Sequence, residues 1–187
     1  MRKFLRTLRT NWCKLVLLTG VALLPRSSDA ETPEHFAHCF ADFKYEFHAE
    51  VQNPDVFLKT KKGDCDDFAT VADDALTRQG YTTHLITVRM PREVHVVLYI
   101  DEVHGYLDYN TRNSKHPVVS CGGSLQQIAT RVAGSFHSPW MAVYEFTYFS
   151  HIKHLATDIV MNDKVENMAA APIQIAAAGS QHRGPRK

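Results

Sequence analysis

Apolar residues recur along this chain either every three to four residues, as in a helix, or every second residue, as in a strand. The first regular stretch has the helical spacing. Over residues 33–47, apolar side chains recur at steps of three and four, which predicts an amphipathic helix. They are Phe36, Phe40, Phe43 and Phe47. Residues 51–62 are polar apart from one short apolar patch at residues 56–58, so we expect a turn-rich connection there.

The clearest helix signals follow Gly63. Asp64 is a suitable N-cap, and Gly80 is placed to end a helix shortly after Arg78. The apolar side chains of this segment then share one face, with Cys65 at its head. They are Phe68, Ala69, Ala72, Ala75 and Leu76. We therefore expect a helix over residues 64–79 that points Cys65 inward from its first turn.

After Gly80 the period changes to two. Residues 81–88, 94–100 and 106–109 predict three successive strands in an antiparallel meander. A short second helix is expected around Leu125, Ile128 and Val132, between glycine-rich borders. Residues 141–149 are rich in aromatic residues and valine and predict a final buried strand. The pattern predicts an α+β domain.

The first thirty residues differ from the rest of the chain. Basic residues precede an apolar run over residues 15–24, which is shorter than the roughly 20 residues that a membrane-spanning helix needs. Ser28 and Ala30 supply small residues for cleavage after Ala30. We therefore predict a signal peptide over residues 1–30, one domain over 31–167 and a disordered tail over 168–187. The alternative is an uncleaved amphipathic anchor at the N-terminus.

Composition narrows the choice of partners and compartment. The formal net charge is +1, so no field of one sign would attract nucleic acid or an anionic membrane. Export implies a periplasmic or secreted protein without stable membrane insertion after cleavage. Loss of Cys13 with the signal leaves three cysteines, so at least one thiol is unpaired in an oxidising compartment. Cys39 and Cys121 could pair, a possibility that the sequence leaves open.

Three residues have the types and positions needed for thiol acyl transfer. The start of a helix favours a thiolate at Cys65. We expect the neighbouring carboxylates of Asp64, Asp66 and Asp67 to face backbone donors or solvent. His95 lies on a predicted strand, on the face it shares with Val97 and Tyr99, where a polar ring needs a partner.

Asp108 is the partner that the sequence offers to His95. The two side chains meet on one face of the sheet if the turn between their strands has an even number of residues. The same sheet face must also receive the first turn of the Cys65 helix. Nucleophile, base and orienting carboxylate then follow in the order Cys65, His95, Asp108. The alternatives are a buried structural thiol, a core histidine satisfied by a partner, and a turn carboxylate.

These segments resemble a known family. Residues 63–69 read GDCDDFA, residues 94–98 read VHVVL and residues 106–110 read YLDYN. Together, and in this order, they are similar to the transglutaminase-like superfamily and, within it, to the bacterial transglutaminase-like cysteine peptidases. The resemblance implies a papain-like core in which the cysteine-bearing helix packs on an antiparallel sheet. It also implies that Cys65 is the nucleophile, His95 the general base and Asp108 the residue that orients it.

The resulting expectation is an exported cysteine hydrolase that cleaves a peptide or isopeptide amide in a peptide or protein substrate through a thioester. The alternatives are a protein-glutamine transglutaminase, in which an amine resolves the thioester, and a non-catalytic binding domain on the same scaffold.

No cofactor and no metal site is expected. Some members of the family bind calcium beside the nucleophile, and Asp64, Asp66 and Asp67 are the positions that could do so here. The histidine pairs His35/His38 and His151/His154 have a spacing that helices use for zinc, but we interpret them as solvated helix faces.

Overall fold

The computed structural model describes residues 32–149 and 152–164. The predicted signal peptide (1–30), the predicted tail (168–187) and His151 lie outside this range. Within it the chain has mixed helix and sheet, with one large antiparallel sheet, as expected for an α+β domain. No helix in the described part of the chain is long and apolar enough to cross a membrane.

The large sheet is antiparallel throughout and has seven strands among the described residues. They are β3 (Thr83–Arg89), β4 (Val94–Ile100), β5 (Gly105–Leu107), β6 (Val118–Ser120), β7 (Ala142–Phe149), β8 (Ile152–Leu155) and β9 (Val160–Met161). Their order across the sheet is β6-β5-β4-β3-β7-β8, and β9 also pairs with β7. Strands β3, β4 and β5 form the predicted meander.

One helix covers each face of the sheet, and each helix buries its own apolar core. Helix α3 (Cys65–Arg78) packs through Phe68 and Leu76 against the face that carries Leu98. Helix α4 (Leu125–Ser135) packs through Ile128 against the other face, which carries Val97. Successive residues of β4 thus enter different cores, because strand side chains alternate between faces. The central strands are therefore apolar on both faces.

Helix α3 begins and ends as the sequence predicts. Asp64 is its N-cap, and Asp67 completes a capping box by accepting a hydrogen bond from the Asp64 backbone N–H. Gly80, just beyond the C-cap Gln79, has a φ of +89°, a conformation that favours glycine. These signals lie within the helix's own sequence, so they fix its bounds without help from distant contacts.

The predicted helix over residues 33–47 is mostly wrong. Helix α1 covers only Pro33–His38, turns follow, and strand β1 (Lys44–Tyr45) pairs in parallel with β2 (Lys62–Gly63). The phenylalanine spacing arises because Phe36, Phe40 and Phe43 all reach one core from a helix and the turns after it. Phe47 does not join them and is 72% exposed.

The expected connection over residues 51–62 contains a helix, α2 (Pro54–Thr60), with Asn53 as N-cap and Pro54 in its first turn. Asn and Pro at these positions are ordinary signals for the start of a helix, but the same residues are also common in turns. Phe57 of this helix is fully buried against the phenylalanine cluster. The helix forms because burying one large aromatic side chain compensates for its short length.

The strand predicted over residues 141–149 exists as β7, but it is not the last one. It lies inside the sheet, between β3 and the later strand β8. Strand β8 also corrects the expected helix face at His154, which lies in a strand. Of the other histidine pair, His38 lies on α1 and its Nε2 is 2.9 Å from the Ser114 carbonyl oxygen.

Candidate functional site

His95 and Asp108 form a buried pair. His95 Nε2 donates a hydrogen bond to Asp108 Oδ1 at 2.9 Å, and the two residues are only 6% and 3% exposed. An ionised carboxylate can only accept hydrogen bonds, so the ring proton of this contact lies on Nε2. The same Oδ1 accepts the Asn110 backbone N–H at 2.8 Å, which fixes the carboxylate at the start of a short 3₁₀ turn, Tyr109–Thr111.

The hairpin register explains why these two side chains meet. Ile100 pairs with Gly105, so the turn between β4 and β5 has four residues, an even number as expected. The register runs from Ile100–Gly105 to Leu98–Leu107, and its continuation sets residue 110 opposite His95, with Asp108 on the diagonal. The prediction that His95 and Asp108 share a face is confirmed.

The cysteine-bearing helix does not pack on that face, contrary to expectation. Val97, the neighbour of His95 on the same side of β4, lies in the core under α4, and the His95 ring is 4.9 Å from the ring of Phe136 at the end of α4. Helix α3 packs on the opposite face. The pairing of β4 with β5 stops at Leu107, so no β5 residue pairs with His95 at this end of the ladder. The first turn of α3 reaches the imidazole there.

Cys65 is the second partner of His95. The interaction of its side chain with the imidazole helps to raise the pKa of His95, and since Nε2 is used by Asp108, Nδ1 is the nitrogen that remains for the sulfur. Burial alone would lower the pKa of His95, but the hydrogen bonds with Asp108 and Cys65 outweigh it and raise the pKa to about 10. The site therefore favours a protonated imidazole beside the sulfur.

Arg112 holds the segment that follows Asp108. Its guanidinium donates to the backbone carbonyls of Phe40, Phe43 and Tyr109. It also lies 3.7 Å from the centre of the Tyr109 ring. The turn that positions Asp108 is therefore fastened to the chain around α1.

Asp64 and Asp67, beside Cys65, accept backbone donors as predicted, whereas the prediction is wrong for Asp66. Asp64 accepts the backbone N–H groups of His48 and Asp66, and Asp67 accepts both the backbone and side-chain N–H of Gln52. Asp66 instead pairs with Lys153 of β8 at 2.5 Å. The carboxylates are thus engaged away from the sulfur.

The charge on Asp64 is nevertheless unfavourable. Burial, followed by the side-chain contact with Asp66, raises the pKa of Asp64 to about 7. The hydrogen bond from His48 acts in the opposite direction but does not offset the burial.

One group among the described residues could hold a metal ion. His48, Asp64 and Asp67 each offer a ligand atom within 4.8 Å of the others. This set replaces Asp66 of the expected calcium positions with a histidine, because Asp66 points to Lys153. Calcium prefers six to eight oxygen ligands, and here two carboxylates already accept backbone donors. The calcium expectation stays a prediction.

The cysteines are not paired as the sequence allowed. Cys39 is disulfide-bonded, whereas Cys65 and Cys121 are free thiols. A Cys39–Cys121 disulfide is therefore wrong. Burial raises the pKa of the Cys121 thiol, with Arg131 acting in the opposite direction. The two free thiols differ in surroundings, because only Cys65 has an imidazole beside it.

Cys65 and His95 open into a cleft of about 1080 Å³. One wall comes from the segment before α3, including Tyr45 and Phe47, and the other from the ends of the sheet strands. The sequence did not indicate Tyr45 as a residue of the site. The pKa of its hydroxyl is raised first by burial, then by the charge of Asp64 and then by that of Cys65. The sequence carries no local signal for these walls, since they come from residues distant along the chain.

No family model matches this sequence, and neither does any curated protein. The resemblance to transglutaminase-like peptidases therefore depends on the three short motifs and on the arrangement of the residues within them.

Proposed function

We propose that this protein is an exported cysteine hydrolase that cleaves a peptide or isopeptide amide with Cys65 as nucleophile, His95 as general base and Asp108 as orienting group. The observation that carries the proposal is that one buried imidazole hydrogen-bonds Asp108 through Nε2 and shares its cleft with Cys65, whose side chain helps to raise the pKa of the ring. This is the order of contacts that thiol acyl transfer requires. A papain-like core, with the nucleophile at the start of a helix beside an antiparallel sheet, is part of the same proposal.

The reaction follows from these positions. The Cys65 thiolate attacks the carbonyl carbon, and His95 then gives its Nδ1 proton to the departing amine as the C–N bond breaks. Water, deprotonated by His95, attacks the resulting thioester; the carbon–sulfur bond breaks and releases the acid, which leaves the Cys65 thiolate beside a protonated His95 as at the start. The negative oxygen of each tetrahedral intermediate needs donors, and the backbone N–H of Cys65, in the first turn of α3, has no acceptor within the helix. The Tyr45 hydroxyl on the cleft wall is our candidate for a second donor.

Hydrolysis is favoured over amine transfer by the shape of the site. Both walls of the cleft carry exposed side chains, so water has access to a thioester at Cys65. A transglutaminase must instead give an amine precedence over water. A non-catalytic scaffold is disfavoured because a histidine with a strongly raised pKa, in a cleft that it shares with a free thiol, is typical of functional sites.

Selective alkylation tests the proposal. Limiting iodoacetamide at neutral pH should modify Cys65 before Cys121, as read by peptide mass spectrometry, because only Cys65 lies beside a protonated imidazole. Equal reaction at the two thiols would remove the enzyme interpretation. Denatured casein, incubated with and without dansylcadaverine, then separates the two reactions: cleavage supports the hydrolase, and fluorescent casein supports the transglutaminase. The Cys65→Ala protein is the control for both.

A further inference from the structure

The walls of the cleft concentrate the exposed apolar side chains of the molecule. Ten large apolar side chains are exposed among the described residues, and six of them line this cleft. The six are Tyr45, Phe47, Val94, Met141, Ile159 and Met161. Exposed apolar groups gathered in a concave site indicate a binding surface, whereas scattered ones need no explanation.

These six side chains form two patches, one on each side of the reacting residues. Tyr45 and Phe47 form the first patch, which belongs to the cysteine side of the cleft. Tyr45 pairs with Gly63, next to the N-cap of α3, and the backbone N–H after Phe47 donates to Asp64.

Val94, Met141, Ile159 and Met161 form the second patch, which belongs to the histidine side. Val94 precedes His95 on β4, and Met161 pairs with Ala142 at the beginning of β7. A chain that passes over Cys65 and His95 can therefore contact both patches.

The charges in the cleft do not select a charged ligand. Besides His48 and His95, three basic side chains and three acidic ones line it, namely Arg89, Arg92, Lys153, Asp64, Asp66 and Glu93. Lys153 and Asp66 also neutralise each other in an ion pair. The apolar patches therefore determine which ligand binds, together with contacts to the ligand's backbone. The volume of about 1080 Å³ also exceeds the usual range of about 300–1,000 Å³ for small-molecule pockets.

We propose that the cleft binds a polypeptide segment with large apolar side chains on both sides of the bond that faces Cys65, one on the Tyr45/Phe47 patch and one on the patch around Met141 and Met161. This inference rests on the proposed function, which supplies the position of the scissile bond. A flat lipid surface fits less well, because both patches line a concave site. Covering half-exposed side chains such as Met161 provides affinity through the apolar area removed from water.

Binding is measured with the full chain carrying Cys65→Ala, so that no probe is consumed. The probes are two pools of short fluorescein-labelled peptides of equal length, one with Leu, Phe and Met at randomised positions and one with Ser, Gly and Asn. Fluorescence anisotropy should show the apolar pool binding at least about tenfold tighter, the effect of removing one or two apolar side chains from water. Equal binding of the two pools would overturn the inference.

Two variants and a matched control locate the binding. Phe47→Ser and the double variant Met141→Ser/Met161→Ser should each weaken binding of the apolar pool about fivefold. The control is Ile152→Ser/Leu155→Ser, which removes two side chains of similar exposure, 58% and 56%, that do not line the cleft. It should leave binding unchanged, and weakening equal to that of the cleft variants would contradict the assignment. Circular dichroism confirms that each variant is folded.

Two further results separate this inference from the proposed function and from a lipid ligand. Selective alkylation of Cys65 without a preference between the pools removes the apolar subsites and leaves the cysteine chemistry standing. Tighter binding of the apolar pool without selective alkylation of Cys65 would keep the apolar subsites and remove the cysteine chemistry. Binding to phosphatidylcholine vesicles that is lost in the cleft variants would replace the polypeptide by a membrane surface and would overturn the proposal.

Discussion

The His95 imidazole and the Asp108 carboxylate lie diagonally across the β4–β5 hairpin, 2.9 Å apart between Nε2 and Oδ1. The pair is almost completely removed from water, so the charge of Asp108 is poorly screened and acts strongly on the ring. This relationship links the register of two strands to the protonation of a side chain beside Cys65.

Replacing Asp108 by Asn keeps the shape of the side chain and removes its charge. The pKa of His95 should fall, and turnover should drop by on the order of ten thousandfold, the scale for loss of an orienting carboxylate. The rate of Cys65 alkylation should also shift its dependence on pH, measured with iodoacetamide from acid to alkaline conditions. Asp101→Asn alters an exposed carboxylate in the same hairpin and should leave the profile in place. A wild-type profile in Asp108→Asn would show that the pair does not control the thiol.

The raised pKa of His95 also predicts how stability depends on pH. A histidine with a folded pKa of about 10 and an ordinary unfolded value near 6.5 binds its proton more tightly when folded. Its stabilisation is therefore fully present below about pH 6.5 and is lost as the pH rises through about 10. Urea unfolding should show a loss on the order of a few kcal/mol across this window. His95→Gln should lack this component of the slope, and an identical slope in both proteins would contradict the prediction.

Cys65→Ala should abolish turnover and leave the fold intact. The side chain is partly exposed, and its replacement removes one sulfur from the margin of the core, so the expected loss of stability is below about 1 kcal/mol. Thermal melting and casein turnover, measured on the same preparation, decide the question. A large loss of stability with activity retained would make Cys65 a structural residue.

Lys153→Ala leaves Asp66 without its cation, directly beside Cys65. The ion pair is partly buried on the Asp66 side, whose carboxylate is 15% exposed, so its loss is not fully screened. We expect Cys65 to be alkylated more slowly at neutral pH in this variant, since a nearby negative charge disfavours the thiolate. Lys59→Ala changes an exposed lysine on α2 and serves as the control. Equal rates for the two variants would exclude a role for Lys153.

The exported protein should begin near Glu31. The small residues of the predicted signal end at Ala30, and signal peptidases cleave after such residues. Intact-mass analysis of protein recovered from the periplasm or medium gives the answer directly. A mass that retains residues 15–24 would support the uncleaved anchor instead.

The parts of the site that depend on local sequence could be predicted. The α3 start was predictable because Asp64 and Asp67 form their capping contacts within one turn. The pairing of His95 with Asp108 was predictable because a four-residue turn fixes the register of neighbouring strands.

Other parts depend on contacts between distant residues. The Lys153–Asp66 pair joins positions 87 residues apart, and no period in the sequence points to it. The face on which α3 packs was predicted wrongly, because every side chain of β4 beyond His95 is buried and the sequence of the strand does not distinguish its two sides. The spacing of the phenylalanines predicted a long helix for a similar reason: turns can deliver the same side chains to one core.

The contacts of Arg112 have a consequence for how such a domain can be divided or recombined. The loop that presents Asp108 takes its support from carbonyl groups of Phe40 and Phe43, which precede the cysteine motif along the chain. A chimera that received only residues 63–110 of this chain would contain Cys65, His95 and Asp108 but not the carbonyls that anchor the loop. The segment that has to be transferred as one block is residues 33–112, which is longer than the three motifs.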